Sequence, residues 1–303
     1  MKKLVLNINL LLLALLGVVS CNIKEDMSDC PGSMILDYSA YSDLILDEIA
    51  QSEQIDIFIF DPNGICCDLR TFTYGTLSQM GFEFELPIAY RNYNAVVWHG
   101  LESENYDSAS MALGESYNDF RLKLLSADSS YSGLLDPLWA SPLEPIEYCA
   151  KITRHRVYMT RLHTDIKVTL QESLTDGTLA DLDMNEYTVS IEAANNIYHT
   201  DYSLSEQCTQ LTYTNQGSMV GTLRLTPDMS CTLSVDDVDR QIDLIQYMLA
   251  TKSDSTLSDQ EFLDLNKVWD ITLIVKEQSD CGYVALGIKI NGWVVWFSSG
   301  ELS

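Results

Sequence analysis

Ile55-Asp56-Ile57-Phe58-Ile59-Phe60 runs directly into Asp61-Pro62-Asn63-Gly64. Successive strand side chains point to opposite faces, so an apolar run from Phe58 onward makes the second half of this strand apolar on both sides. The four residues that follow carry a turn signature, with proline to preset φ and glycine to supply a positive one. Their residue types resemble calcium ligands, but they lack the acidic spacing and the closing glutamate of an EF-hand loop. Outward from here the period of two repeats. Phe82 to Leu86 alternates and is closed by Pro87, and Tyr93 to Trp98 follows at hairpin distance. Phe120, Leu122 and Leu124 suggest a further short strand. Three of the seven prolines, Pro137, Pro142 and Pro145, then interrupt regular structure, which places a domain boundary near residue 150.

The second half has the same character. Ile166 to Leu170, Tyr187 to Ile191, Thr222 to Leu225 and Trp269 to Val275 all read as strands. Ser258-Asp259-Gln260-Glu261 is a capping box that starts a helix through Leu265, and Ile242 to Leu249 is a second helical candidate. Val284 to Ile290, Asn291-Gly292 and Trp293 to Phe297 form a β-hairpin whose turn requires positive φ at both central residues. Many short alternating strands with few helical periods predict an all-β chain of two antiparallel β-sandwiches, spanning residues 33–150 and 151–303.

The chain has 303 residues, of which 46 % are hydrophobic, enough to bury a core and too many for a disordered protein. A net charge of −26 repels phosphates, so nucleic acid is not an expected partner, and no basic patch favours an anionic membrane surface.

The N-terminus explains how such a chain would reach a membrane. Lys2 and Lys3 precede an apolar stretch from Leu4 to Val19, shorter in its uninterrupted part than the ~20 residues that span a bilayer. Val18-Val19-Ser20-Cys21 then reads as a lipobox, with cleavage between Ser20 and Cys21 and acylation of the Cys21 thiol. Residues 1–20 are thus a lipoprotein signal peptide, residues 21–32 an acylated tether, and the mature charge is −28 once Lys2 and Lys3 are removed. Each buried methylene of the acyl chains contributes ~0.8 kcal/mol, and two or more chains hold a protein stably. Lys24-Glu25-Asp26 resembles the surface-export signal of lipoproteins in Bacteroides-like bacteria.

No catalytic or metal-binding pattern stands out. There is no HExxH, no GxSxG, no Walker loop, no GxGxxG and no CxxC, so neither an enzyme nor a cofactor or metal site is expected. The histidines His99, His155, His163 and His199 share no helical spacing, and Asp165 two positions beyond His163 reads as a structural pairing. Seven cysteines besides Cys21 cannot all pair within one chain, and adjacent Cys66 and Cys67 point to opposite strand faces.

Cys21 followed by Cys30-Pro31, the strand Ile55 to Gly64, Leu86-Pro87 and Tyr93 to Gly100 resembles the FimB-type fimbrial anchor lipoproteins. Pro137-Leu138-Trp139, Thr222 to Leu225, Phe262-Leu263 and Ile288 to Trp293 continue the resemblance in the same order over nearly the whole mature chain. His99 departs from the family, which has a small or polar residue there, and reads as surface variation. The resemblance implies transthyretin-like sandwiches, no enzymatic activity, and an accessory subunit that attaches a fimbrial polymer to the outer membrane and limits its length. Stalk subunits of such systems are cut after an arginine to free them for strand exchange. Here no arginine lies between Cys21 and Arg70. The partner implied is a fimbrial stalk subunit, a fimbrillin, held by β-augmentation. Trp293 and Trp296 of the terminal hairpin are the candidate contacts, unless they fill the second sandwich. One rival shares the N-terminal signals, a glycan-binding surface lipoprotein, for which Tyr38, Tyr41, Tyr74, Tyr90 and Tyr93 are either a stacking platform or half-buried strand residues; the other is a fimbrial tip adhesin, although a retained lipid would hold the chain at the base.

Overall fold

The structure, a computed structural model, describes residues 32–38, 53–85, 92–108, 111–126, 129–147, 154–278 and 282–296. In the first half the strands are β1 (Ser33–Asp37), β2 (Gln54–Phe60), β3 (Cys66–Thr73), β4 (Glu83–Glu85), β5 (Asn92–His99), β6 (Tyr106–Ser108), β7 (Leu122–Leu124), β8 (Ser130–Ser132), β9 (Trp139–Ala140), β10 (Glu144–Glu147), β11 (Arg154–Tyr158) and β12 (Thr160–Arg161), with helix α1 (Tyr74–Gln79) after β3. The second half contributes β13 (His163–Ser173), β14 (Leu179–Asp181), β15 (Thr188–Ala193), β16 (Ile197–Tyr198), β17 (Leu211–Gln216), β18 (Met219–Leu223), β19 (Cys231–Val235), β20 (Ile242–Asp243), α2 (Leu244–Ala250), α3 (Asp259–Leu265), β21 (Val268–Gln278), β22 (Gly282–Ile290) and β23 (Trp293–Trp296). The all-β class read from the sequence is the class observed.

The two-faced strand of the sequence sits inside a sheet ordered β12-β9-β5-β2-β3. Ile55, Ile57 and Ile59 join Tyr93, Ala95 and Val97 in a core closed by β1, β4 and β11. On the opposite face Phe58 and Phe60 join Val96 and Trp98 in a second core that runs on into the other half of the chain. Burying both faces is what the consecutive apolar residues are for, since each fully buried Ile or Phe contributes roughly 1.5–3 kcal/mol. Asp61 Oδ1 accepts the Asn63 and Ile65 amides at 2.8 and 2.9 Å, and Gly64 takes φ +81°, so the Asp-Pro-Asn-Gly segment is the expected turn.

The second half stacks a sheet ordered β14-β13-β21-β22-β23, with β18 also on β13, against one ordered β20-β19-β15-β17-β8. Ile166, Val168, Leu170, Trp269, Ile271 and Leu273 face Val189, Ile191, Leu233 and Tyr213 across the interior. Two segments of the first half enter these layers: β8 pairs in parallel with β17, and β7 pairs antiparallel with β16. Trp98 Nε1 donates to the Thr200 carbonyl at 3.1 Å, a further buried link between the halves. The division expected at residue 150 lies outside the described residues.

Several local expectations are corrected. Phe82 to Leu86 and Tyr93 to Trp98 do not form a hairpin: β4 pairs with β1 and β5 with β2, in two sheets that share one core. Pro145 does not break structure but lies in β10, where pairing to β5 on one side leaves its missing N–H harmless. Pairing is mixed: β13 runs parallel to β21 over eight residues, which the long intervening chain permits, and β1 runs parallel to β11. His99 is not surface variation. It is fully buried, bonded through Nδ1 to the Tyr38 hydroxyl at 3.3 Å and stacked on Tyr74.

Gly100 ends β5 at φ +98°, and a Cβ there would stand 2.2 Å from the Pro137 carbonyl oxygen. Gly100→Ala is expected to cost roughly 2–4 kcal/mol, from positive φ plus overpacking. Chemical denaturation checks this.

Candidate functional site

The terminal hairpin is built as the sequence reads. Asn291 and Gly292 take φ +48° and +80°, and Ile290 pairs with Trp293 directly across the two-residue turn. Ile288 and Ile290 are fully buried, which fixes the register, because a slip of one residue would turn them to water. Val295 packs on the core opposite Ile288, whereas Trp293, at the rim, is 60 % exposed and Val294 48 % exposed. Filling the sandwich is therefore not what Trp293 does. Trp296 is placed by its register opposite Gly287. In a two-residue hairpin the closing pair exchanges both backbone bonds, so Trp293 and Val295 point their backbone groups at β22. Val294 then presents its N–H and C=O outward, and among the described residues no strand pairs with that edge.

A buried charge network, not anticipated from the sequence, lies where the chain passes from the first half to the second. Arg161 of β12 is fully buried and donates from Nη2 to Asp165 at 2.6 Å and from Nη1 to the Lys267 carbonyl at 3.0 Å. Lys267 Nζ donates to Asp264 Oδ1 at 2.9 Å. Arg224 grips both oxygens of Asp264, at 2.9 and 2.6 Å, with its guanidinium 4.9 Å from the Tyr202 ring centre. Burial alone would raise the Asp264 carboxyl, but its bonds to Arg224 and Lys267 outweigh that and hold it below the usual range. Burial pushes Lys267 down to about 8, with Arg224 and Arg161 adding repulsion, and burial likewise holds His163 well below its ordinary value. Asp165 is thus a partner of Arg161, and His163 Nδ1 accepts the Leu138 amide at 3.4 Å. The network escaped the sequence reading because Arg224 falls in an alternating strand pattern and looks solvent-facing.

Lys267 gives this network a pH signature. The unfolded lysine keeps its proton to about pH 10.5, so above about pH 8 the unfolded state binds more protons and stability rises with pH. Wild-type protein is expected to gain stability on Lys267→Met between about pH 8 and pH 10, measured by urea unfolding. A constant difference across that window would contradict the burial of a charged Lys267.

The other sequence candidates are placed as follows. Ser20, Cys21, Lys24, Glu25 and Asp26 lie outside the described residues, as do Cys30-Pro31, Leu86-Pro87, Phe297, Cys149 and Cys281. Cys66 is buried in one core and Cys67 packs beside the other, on opposite strand faces. Tyr38 and Tyr93 are buried and Tyr74 is half-buried, so these three do not form a stacking platform; Tyr41 and Tyr90 lie outside the described residues. Among the described residues no three His, Cys, Asp or Glu side chains are grouped to hold a metal, and no helix is long and apolar enough to cross a membrane.

The profile of the family described as fimbrillin-A associated anchor proteins Mfa1 and Mfa2 matches residues 27–299. Comparison with curated protein sequences gives no match. Among solved structures, a candidate polysaccharide-binding protein of Bacteroides thetaiotaomicron superposes with a TM-score of 0.72 at 21 % identity, covering 89 % of this chain and 99 % of that one. A candidate adhesin of the same organism gives 0.71 at 22 % identity, over 88 % and 98 %. The fimbrial anchor protein Mfa2 of Porphyromonas gingivalis gives 0.65 at 18 % identity, over 88 % and 99 %. At these identities the structures establish a shared fold.

Proposed function

We propose, from the premise that the chain belongs to the family of fimbrillin-A associated anchor proteins, that it is the lipid-anchored accessory subunit of a fimbrium. It attaches the polymer to the outer membrane and limits its length, and it acts as a structural protein without catalysis. The family match over residues 27–299 carries this reading.

Signal cleavage after Ser20 leaves Cys21 to take the acyl chains, and Lys24-Glu25-Asp26 directs the lipoprotein to the cell surface. The first sandwich, residues 33–150, then lies nearer the lipid, and the second, residues 151–303, farther from it. β1 supports retention at the membrane. Met34 and Leu36 are buried in the core that β1 shares with β4 and β11, and no arginine between Cys21 and Arg70 offers a cut that would release it. The polymer joins through β-strand addition at the outward edge of β23, with Trp293 and Trp296 flanking the joint. Main-chain bonds supply the strength there, and exposed Trp293 and Val294 supply the apolar contact.

Recovery of an affinity-tagged chain from detergent-solubilised cells tests this. Fimbriae should co-purify, with gold label against the tag at one end and that end bound to membrane. Label at the free end would make the chain a tip adhesin, and polysaccharide recovered without polymer would make it a glycan-binding lipoprotein; either result overturns the proposal.

A further inference from the structure

The sheet built around Ile55 to Phe60 has an open side. Beyond Cys66, β3 pairs with β2 only among the described residues, and Leu69 and Thr71 of β3 are exposed. Beneath this edge, between the sheet and the segment that carries Phe120, is a cavity of about 250 Å³. That is space for about eight water molecules, or for one long side chain.

Its chemistry is divided. Phe58, Phe120, Leu69 and Met111 form apolar walls, while Asp56 and Glu102 line the cavity as two carboxylates. Among the described residues no lysine, arginine or histidine lines it. Asp56 and Gln54 are the polar residues of β2 on the Phe58 face, and Asp56 is only 6 % exposed. Thr71 donates to its Oδ1 at 2.6 Å and Gln54 to its Oδ2 at 2.8 Å, so the carboxylate is held in one orientation. Glu102 Oε1 accepts the Glu53 and Gln54 amides at 2.9 and 3.0 Å, which fixes it beside Asp56. Burial raises the Asp56 carboxyl; the Thr71 and Gln54 bonds oppose this, and the Glu102 charge adds to it. Two oriented carboxylates in a half-enclosed apolar site favour a cation, and the net charge of −26 draws cations towards the chain.

We propose that this cavity is a socket for one lysine or arginine side chain, carried on an extended segment of a partner chain that lies along β3. The apolar stem of such a side chain packs against Phe58, Phe120, Leu69 and Met111, and its charged head reaches the two carboxylates. The β3 edge accepts the segment's backbone, and the socket selects which residue is presented to it. A partner strand would thus be recognised by a basic residue at a fixed position, independently of β23.

Blocked pentapeptides of valine and threonine, with lysine, arginine or norleucine at the centre, test this on the purified chain by calorimetric and NMR titration, with galactose as a fourth probe. The lysine and arginine peptides should bind at least about tenfold more tightly than the norleucine peptide, an effect weakened by salt. Glu102→Gln keeps the oxygen that accepts the Glu53 and Gln54 amides, and Asp56→Asn keeps the one that accepts from Thr71 while its NH2 donates to a turned Gln54 amide, so both should unfold within a few degrees of the wild-type temperature. Each should weaken the basic peptides about fivefold or more. Equal binding of the norleucine peptide, indifference of basic peptides to both variants, or galactose shifting the cavity resonances where the peptides do not, would each overturn the socket.

Discussion

Arg161→Ala is expected to lower the unfolding free energy by about 3–5 kcal/mol, the range for removing one partner of a buried ion pair. The guanidinium is fully buried and ties together Asp165 and the Lys267 carbonyl, one on β13 and the other just before β21. Alanine leaves the carbonyl without that donor, Asp165 without that cation, and an empty volume where the side chain lay. Lysine is not expected to rescue the loss, since one ammonium cannot reproduce the fork that reaches both acceptors. Arg161 pairs through β12 with β9 in the first sheet and stands two residues before β13 opens the second, so the network joins the halves. Under the proposed anchoring role, such a joint would keep the halves from separating under load between membrane and polymer. Urea denaturation followed by circular dichroism measures the effect, and a loss below about 1 kcal/mol would show that packing alone holds the joint.

Val294→Pro is expected to abolish polymer attachment, by about tenfold or more in retained polymer, while leaving the chain folded. The argument rests on backbone alternation. The Ile290–Trp293 pair closes the turn, so Val294 directs its N–H away from β22 into the edge where a partner strand would bond. Proline removes that donor from an edge position, where the hairpin itself does not use it. Val295→Pro is the contrasting variant: its N–H faces Ile288 inside the hairpin, so it should lower stability as well as attachment. Trp293→Ala should weaken attachment less, because it removes apolar contact and leaves the backbone edge intact. Normal attachment in Val294→Pro with a native spectrum would move the joint away from β23.

How much of this was visible in the sequence depends on how local each determinant is. Ser258 and Glu261 cap α3 reciprocally, with bonds of 3.2 and 2.7 Å, as four consecutive residues indicate. The Asn291-Gly292 turn is equally local. The short helix α1 was not read, since its signal is a Thr73 hydroxyl accepting the Thr76 amide in an otherwise strand-like run. Partner choice between strands is not local at all. β4 and β5 are close in sequence, yet they join different sheets that meet over one core, where Phe84 packs with Tyr93, Ala95 and Val97. His99 shows the same limit: its neighbours Tyr38 and Tyr74 are remote in sequence, so its burial could not be inferred from the residues beside it. Asp56, too, is one acidic residue in a strand until β3 and the segment around Phe120 enclose it.

The measurement that bears most directly on anchorage is cell fractionation of a Cys21→Ala strain, following both this chain and the polymer in the pellet and the medium. Without an acylation site the chain should leave the membrane, and polymer should appear in the medium with this protein at one end. Polymer retained on the cells, or shed polymer that carries none of this protein, would contradict a lipid-held fimbrial anchor.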